Sequence, residues 1–264
     1  MARKFQPVGC STRHRWLLTA LLGISASLIL STGQVVASEP GDAPSLHPYL
    51  AEYSTSARGM TVTLERELKD EGDGRYTLTN GGKLLVVGFH EVAVFDVVGA
   101  QIQPKSYIYQ GTGLINRRRE VHFTPGSETV RSFYKDEWYD LPYTAGTLDR
   151  MSQQEQLRLQ LLSKENPREN LQVRIADGKR IRDYELVYMG EEILDTPMGP
   201  VNTFRFERLH EDPDRASNMW LAPDWEYLMV KTVHVEDDQP IEVMLKEGSM
   251  GGEPLATLLK AAAP

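Results

Sequence analysis

Five histidines follow the first apolar run of this 264-residue chain: His47, His90, His122, His210 and His234. No two stand at the i, i+4 spacing that puts two ligands on one helical face, and there is no His-Glu-x-x-His. The single cysteine, Cys10, lies ahead of the apolar run, so the rest of the chain has no thiolate to offer zinc. His234 and Glu236 share a strand face at i, i+2, a spacing that serves a solvated pair as well as a ligand pair. Nucleophilic motifs are also missing: there is no Gly-x-Ser-x-Gly elbow, and Asn80-Gly81-Gly82-Lys83 matches neither a phosphate-binding loop nor a dinucleotide fingerprint. Carboxylates crowd two turns, Glu191, Glu192 and Asp195 at one and Glu211, Asp212 and Asp214 at the other. Two such groups facing each other at ~5 to 10 Å across a cleft could hydrolyse a glycoside; outside a cleft they are solvated loop residues.

Binding chemistry has more candidates. Arg117-Arg118-Arg119 is the only basic cluster. On a strand, Arg117 and Arg119 point one way and Arg118 the other, which suits either an edge kept soluble by charge or a contact of Arg117 and Arg119 with an anionic group or an acidic partner. Aromatic residues concentrate at Tyr107 and Tyr109, at Phe133, Trp138, Tyr139 and Tyr143, and at Trp220 and Trp225. Such residues fill a core or line a pocket for an apolar ligand. The candidates for the second use are Trp138, Trp220 and two leucines, Leu157 and Leu161.

The elements that must position these residues are mostly strands. Met60, Val62 and Leu64 alternate with polar neighbours, and Tyr184–Met189 and Val201–Glu207 are rich in β-branched and aromatic residues. Asp177-Gly178, Asn80-Gly81, Pro125-Gly126 and Met198-Gly199-Pro200 supply turn chemistry between them. One segment changes period. Ser152-Gln153-Gln154-Glu155 has the spacing of a capping box, Leu157 and Leu161 fall on one face, and Asn166-Pro167 ends the run. These features predict one helix from about Gln153 to Lys164, covering or plugging a strongly curved antiparallel sheet that is either an open or a closed β-barrel. No repeat of about 20 to 50 residues is present.

The N-terminus carries an export pattern. Arg3, Lys4, Arg13 and Arg15 precede fifteen uncharged residues, Trp16–Leu30, and Val35 and Ala37 occupy the −3 and −1 positions of a cut before Ser38. The run is shorter than the ~20 apolar residues that span a bilayer. The expected plan is a cleavable signal over 1–37, a disordered leader over 38–47, one β domain over 48–247 and a flexible tail over 248–264. Cleavage leaves 227 residues without cysteine, 25 basic against 37 acidic side chains and a formal charge of −12. So acidic a chain is a poor general binder of nucleic acid or anionic membranes. The expected address is the periplasm, with no transmembrane span after cleavage.

Tyr49-Leu50-Ala51-Glu52-Tyr53-Ser54, Leu141-Pro142 through Asp149-Arg150-Met151-Ser152 with the leucine-rich helix, Gly190–Gly199 and Trp220-Leu221-Ala222-Pro223-Asp224 together resemble the DUF3108 family of exported bacterial proteins of unknown function. The resemblance covers about Tyr49 to Leu245. Tyr227-Leu228-Met229-Val230-Lys231 stands where such proteins often have a Leu-Pro-Val-Arg-like step. The family implies an exported, β-rich fold, similar to the curved sheets of periplasmic lipoprotein carriers, and implies no cofactor. Three readings follow: a non-enzymatic protein that binds a lipid, another amphiphile or an apolar partner segment; a scaffold of the cell envelope acting on a protein partner through an exposed strand edge; and, third, a carboxylate-based hydrolase of an envelope polymer.

Overall fold

The computed structural model describes residues 44–57, 60–84, 86–114, 116–210, 215–236 and 239–259. The expected cleavage site at Ala37 and Ser38, and the acidic trio Glu211, Asp212 and Asp214, lie outside them.

Alternating sequence becomes a single long ladder. The strands are β1 Tyr49–Ala57, β2 Met60–Gly72, β3 Arg75–Leu84, β4 Val87–Val98, β5 Gln101–Gly113, β6 Arg118–Phe123, β7 Thr129–Tyr134, β8 Glu137–Pro142, β9 Thr147–Leu148, β10 Leu171–Asp177, β11 Arg180–Thr196, β12 Gly199–Arg208, β13 Ala216–Ala222, β14 Leu228–Glu236, β15 Gln239–Met250 and β16 Glu253–Pro254. The ladder runs β8-β7-β6-β5-β4-β3-β2-β1-β15-β14-β13-β12-β11-β10-β9, with β16 on β15. Every pairing is antiparallel except the short β9–β10 match. The first strand pairs with both β2 and β15, so the early and late halves of the chain join at the middle of the sheet. The ladder has two ends, at β8 and at β9, and the sheet is curved and unclosed.

Turn chemistry explains most reversals and misses one. Gly178 has φ +63° between β10 and β11, and Gly126 φ +76° between β6 and β7. Asn80-Gly81, read from sequence as a turn, lies inside β3 opposite Glu91 and His90. Asn80 Nδ2 donates to Glu91 Oε2 at 2.8 Å, and a Cβ on the adjacent Gly82 would come within 2.4 Å of the Leu64 side chain. The glycines here permit close approach of neighbouring chains, the other use of glycine in a sheet. The reversal into β3 is made by Gly72-Asp73-Gly74, all at positive φ.

The predicted helix exists as α1, Ser152–Ser163, but its start is built differently. Asp149 Oδ1 accepts the backbone N–H groups of Met151 and Ser152 at 2.8 and 2.9 Å. Ser152 Oγ donates to Asp149 Oδ2 at 2.7 Å and accepts the Asp149 N–H at 3.2 Å. The reciprocal box is therefore Asp149-x-x-Ser152, one turn earlier than Ser152-x-x-Glu155. Burial holds the Asp149 carboxyl above the ordinary range despite the hydrogen bonds from Ser152 and Met151. The helix is enclosed on several sides: Ser152, Glu155, Gln156, Leu157, Arg158, Leu159 and Leu161 are all buried. Gln156 fixes one flank, accepting the Ile102 N–H at 2.7 Å and donating to Ala100 O at 2.9 Å.

Both presumed tails are part of the fold where they are described. Leu46 is buried and its carbonyl accepts the Tyr76 hydroxyl at 3.1 Å. β15 continues to Met250, and the short helix α2, Leu255–Leu258, follows β16. Leu255 is fully buried, and its carbonyl accepts Trp225 Nε1–H at 3.0 Å. Small and glycine-rich sequence at 248–252 supplied backbone turns at Gly251 and Gly252, both at positive φ.

Replacing Asp149 with Ala is expected to cost ~1 to 2 kcal/mol by removing the acceptor of two helix-start N–H groups. A denaturation midpoint unchanged in the Asp149 variant but lowered in Glu155→Gln by the same amount would restore the cap to Ser152.

Candidate functional site

The inward face of β2 carries Val62, Leu64, Arg66 and Leu68 in strict alternation, so a guanidinium enters the interior beside α1. Glu155 meets it there. Its Oε1 accepts the Tyr49 hydroxyl at 2.7 Å and Arg66 Nη2 at 3.3 Å, and its Oε2 accepts Arg158 Nη1 at 2.7 Å. Arg66 Nε also donates to the Tyr49 oxygen at 2.8 Å, and the Arg158 guanidinium lies 5.0 Å from the Tyr49 ring centre. From Arg158 the chain of contacts continues outward: Nε donates to Glu226 O at 3.0 Å and Nη2 to Glu226 Oε2 at 3.2 Å. Glu226 and Tyr227 hold left-handed backbone, φ 50° and 58°, after the single 3-10 turn Pro223–Trp225. At the surface, Glu226 pairs with the His47 ring.

Burial alone would raise the Glu155 pKa, but Arg158 and Arg66 outweigh it and hold the carboxyl below its usual range. Burial also keeps the Tyr49 hydroxyl protonated far above its ordinary range. Two arginines and two glutamates thus balance in the interior and at its mouth. These are stabilising roles, with no free valence left on Glu155 for a ligand.

The predicted ligand pocket between sheet and helix is replaced by packing. Beside α1 the free space amounts to ≈ 20 Å³, lined by Leu157, Met219, Leu221 and the charge network. That is room for about one water, far below the ~300 Å³ of a ligand site. Leu157 and Leu161 pack with Leu171, Val173, Leu186, Phe204 and Phe206, so they act as core. Larger hollows lie elsewhere. One of ≈ 450 Å³ sits between the start of β5, the β6–β7 turn and the loop after β8, and one of ≈ 560 Å³ between the β11–β12 turn, β1, β15 and α2.

The two tryptophans proposed from sequence stand apart, with nine strands of the ladder between β8 and β13. Trp220 is buried, donates to Glu192 Oε2 at 2.7 Å and is flanked by Arg205 and Lys231. Trp138 is 45% exposed, packs on Phe133 with ring centres 5.2 Å apart, and lies under the Arg131 guanidinium at 4.6 Å. It belongs to the last strand of the ladder. Lys135 and Asp136, at φ 52° and 63°, form a two-residue turn between β7 and β8 of the type I′ kind. Such a turn is closed by Tyr134 and Glu137 as a hydrogen-bonded pair, and pairs alternate from there. The N–H and C=O groups of Glu137, Tyr139 and Leu141 therefore point at β7, while those of Trp138 and Asp140 point away from it. β8 approaches β11, yet no backbone hydrogen bond joins them among the described residues.

Side chains span this seam instead. Ser132 Oγ donates to Gly178 O at 2.6 Å, and Arg119 and Arg150 both reach Asp177, at 3.5 and 3.4 Å. Arg119 thus lies on the inner side of β6, while Arg118 pairs with Glu120 on the other side and Arg117 is exposed ahead of the strand. No cluster of metal-type ligands occurs among the described residues. Glu191 pairs with Arg168 at 2.6 Å and Glu192 is taken by Trp220. The ring Nδ1 of His234 lies 2.7 Å from Ser217 Oγ. No described helix is long and apolar enough to cross a membrane. Sequence reasoning missed Tyr49, Arg66, Glu155, Arg158 and Glu226; an arginine at an inward position of β2 was the available signal.

Removing Glu155 as Glu155→Ala is expected to cost ~3 to 5 kcal/mol, because two buried guanidinium groups lose their counter-charge. The linked pH effect has a definite sign. With its folded pKa below the unfolded value of ~4.3, Glu155 stabilises fully above that value and loses the contribution as pH falls through the folded one. The acid side of a stability profile should flatten in Glu155→Gln; an identical slope in the variant would remove Glu155 as its source. Leu157→Trp should lower stability by ~1 to 3 kcal/mol through overpacking, and the parent protein should take up no fluorescent fatty acid in its interior. Tolerance of the tryptophan would show space the structure lacks.

No curated protein matches the chain. Among solved structures it is similar to a β-barrel-like protein of domain of unknown function DUF1849 from Brucella abortus, at 10% identity and a TM-score of 0.51. The match covers 78% of this chain and 98% of that one. At that identity the likeness concerns the fold, and it agrees with the large curved sheet. The family described as "Protein of unknown function (DUF3108)" matches residues 56–246. Since that stretch is most of the chain and holds nearly all the ladder, the chain belongs to the DUF3108 family.

Proposed function

We propose that this is a non-enzymatic protein of the cell envelope that holds an extended segment of a protein partner along the outer edge of β8. The observation that carries the reading is the unpaired edge itself: Trp138 and Asp140 present backbone donors and acceptors with no ladder partner, beside an exposed tryptophan. Only an extended chain pairs such groups at the strand spacing of ~4.8 Å. The Trp138, Phe133, His122 and Arg131 surface next to it offers an aromatic and cationic contact for the partner's side chains. Export to the periplasm is supported by the basic start, the apolar run Trp16–Leu30 and the small residues before Ser38. The filled space beside α1 favours this reading over carriage of a lipid inside the sheet.

Peptides selected on the immobilised protein from a random library test the edge. Asp140→Pro removes an outward N–H while leaving the ladder to β7 intact, and proline is tolerated on edge strands. It should weaken the selected peptides by about tenfold or more, the scale of one or two lost hydrogen bonds. Methylating alternate amides of the peptide should abolish binding in one phase of alternation and spare it in the other. Equal affinity for the variant together with indifference to methylation would overturn the reading.

A further inference from the structure

The inner side of the seam gathers positive charge in a protein whose overall charge is negative. Arg119 enters from β6, Arg150 from the residue pair before α1, and Arg208 from the end of β12. Arg119 and Arg150 share one carboxylate, Asp177, and both hold it loosely, at 3.4 to 3.5 Å rather than the ~2.8 Å of a tight charge-assisted pair. Arg119 Nε is buried and has no acceptor. The Arg119 side chain, stacked 5.2 Å from the Tyr134 ring centre, is still about one-fifth exposed, so solvent and solutes reach the group.

Arg208 adds to this field. Its guanidinium lies 4.8 Å from the Tyr184 ring centre and donates to Ser217 Oγ at 3.3 Å and toward His210 Nε2 at 3.4 Å. It has no carboxylate within 4 Å among the described residues, whereas most other arginines of the sheet have one. Burial, Arg150 and Arg182 together depress its pKa against the opposing effect of Tyr184 and Asp177, so these charges feel one another across the seam. Arg150 in turn senses Asp177 and Glu91, the latter already engaged by Tyr107 and Asn80. Four arginines, 119, 150, 182 and 208, thus face two carboxylates, Asp177 and Glu91. The excess is two positive charges among the described residues.

A buried guanidinium N–H without an acceptor marks a place where an acceptor belongs. The excess charge states how much charge that acceptor should carry, and arginine forks match phosphate and carboxylate oxygens. We propose that Arg119, Arg150 and Arg208 form a binding site for a phosphate-type dianion, free or as the monoester end of a larger molecule, at the inner side of the seam. The dianion accepts from Arg119 Nε–H and competes with Asp177 for the Arg119 and Arg150 forks. The site stands independently of strand pairing at the β8 edge: one uses inner side chains, the other outward backbone.

The test uses the purified full chain at low salt. Side-chain Nε–H resonances of arginine are followed by ¹⁵N NMR during titration with inorganic phosphate, with acetate as a monoanion control and a sugar monophosphate as the ester arm. The expected result is saturable shifts of Arg119 and Arg150 with one phosphate bound, and much weaker shifts with acetate. A tighter response to the sugar phosphate identifies an ester as the ligand class, and an equal response identifies free phosphate. Arg119→Lys keeps the charge and removes the Nε fork; it should weaken phosphate about tenfold. Lys105→Gln, which touches only the Asp96 pair on β5, should leave it unchanged. Absence of saturable arginine shifts up to millimolar phosphate, or equal response to acetate, would overturn the proposal even if the variants fail to fold. Because neither readout involves a peptide, failure here leaves the β8 reading standing, and the reverse holds as well.

Discussion

The carboxylate of Glu155 is the point on which the rest of the structure depends. It sits 1% exposed between two guanidinium groups and a tyrosine hydroxyl, and each of those comes from a different part of the chain. Tyr49 belongs to β1, Arg66 to β2, and Arg158 to the helix, while Glu226 extends the network to the turn ahead of β14. Burying any one of these charges alone is costly, and burying them together is tolerable only in one arrangement. The network therefore fixes where α1 lies against the middle of the sheet, where the first and last strands meet. Leucines 157, 159 and 161 then fill the remaining space.

A filled middle leaves the ends of the ladder as the place for adaptation. β11 runs seventeen residues, yet β10 covers only Arg180–Leu186 of it, and β8 stops beside it without a ladder. Hydrogen bonds from side chains, Ser132 to Gly178 and two arginines to Asp177, take the place of strand pairing. Such contacts are individually weak and partly solvated, so they close the seam without locking it. The same construction exposes backbone groups on one side of β8 and loosely held guanidinium groups on the inner side. Both proposed binding modes draw on this one incomplete closure.

Much of the architecture was legible in the alternation of residues. The strands around Met60, Tyr184 and Val201, the turns at Asp177-Gly178 and Pro125-Gly126, and a helix near 153–164 are all present. What sequence misread shares a cause: the residue type was right and its partner was remote. Glu155 has capping-box spacing, but Arg66, eighty-nine positions away, claims it. Asn80-Gly81 has turn chemistry, but Glu91 and Leu64 give it a strand environment. Residues beyond Gly248 look thin until Trp225 is placed over Leu255. Leu157 and Leu161 look like a ligand surface because periodicity alone cannot tell whether a cavity or Phe204 and Phe206 lie opposite. For the seam, Arg119 was visible in sequence as a cationic contact, whereas Arg150, Asp177 and Arg208 became neighbours only through folding.

A rigid middle and a compliant seam make opposite demands on local stability, and native-state hydrogen exchange measures both at once. Amides of α1 from Leu157 to Leu161 should exchange only through global unfolding. The outward amides of Trp138 and Asp140 should exchange with almost no protection, while those of Tyr139 and Leu141 on the same strand are protected by β7. Protection of Trp138 and Asp140 equal to that of α1 in the isolated protein would mean that the ladder closes at β8, and would contradict the account.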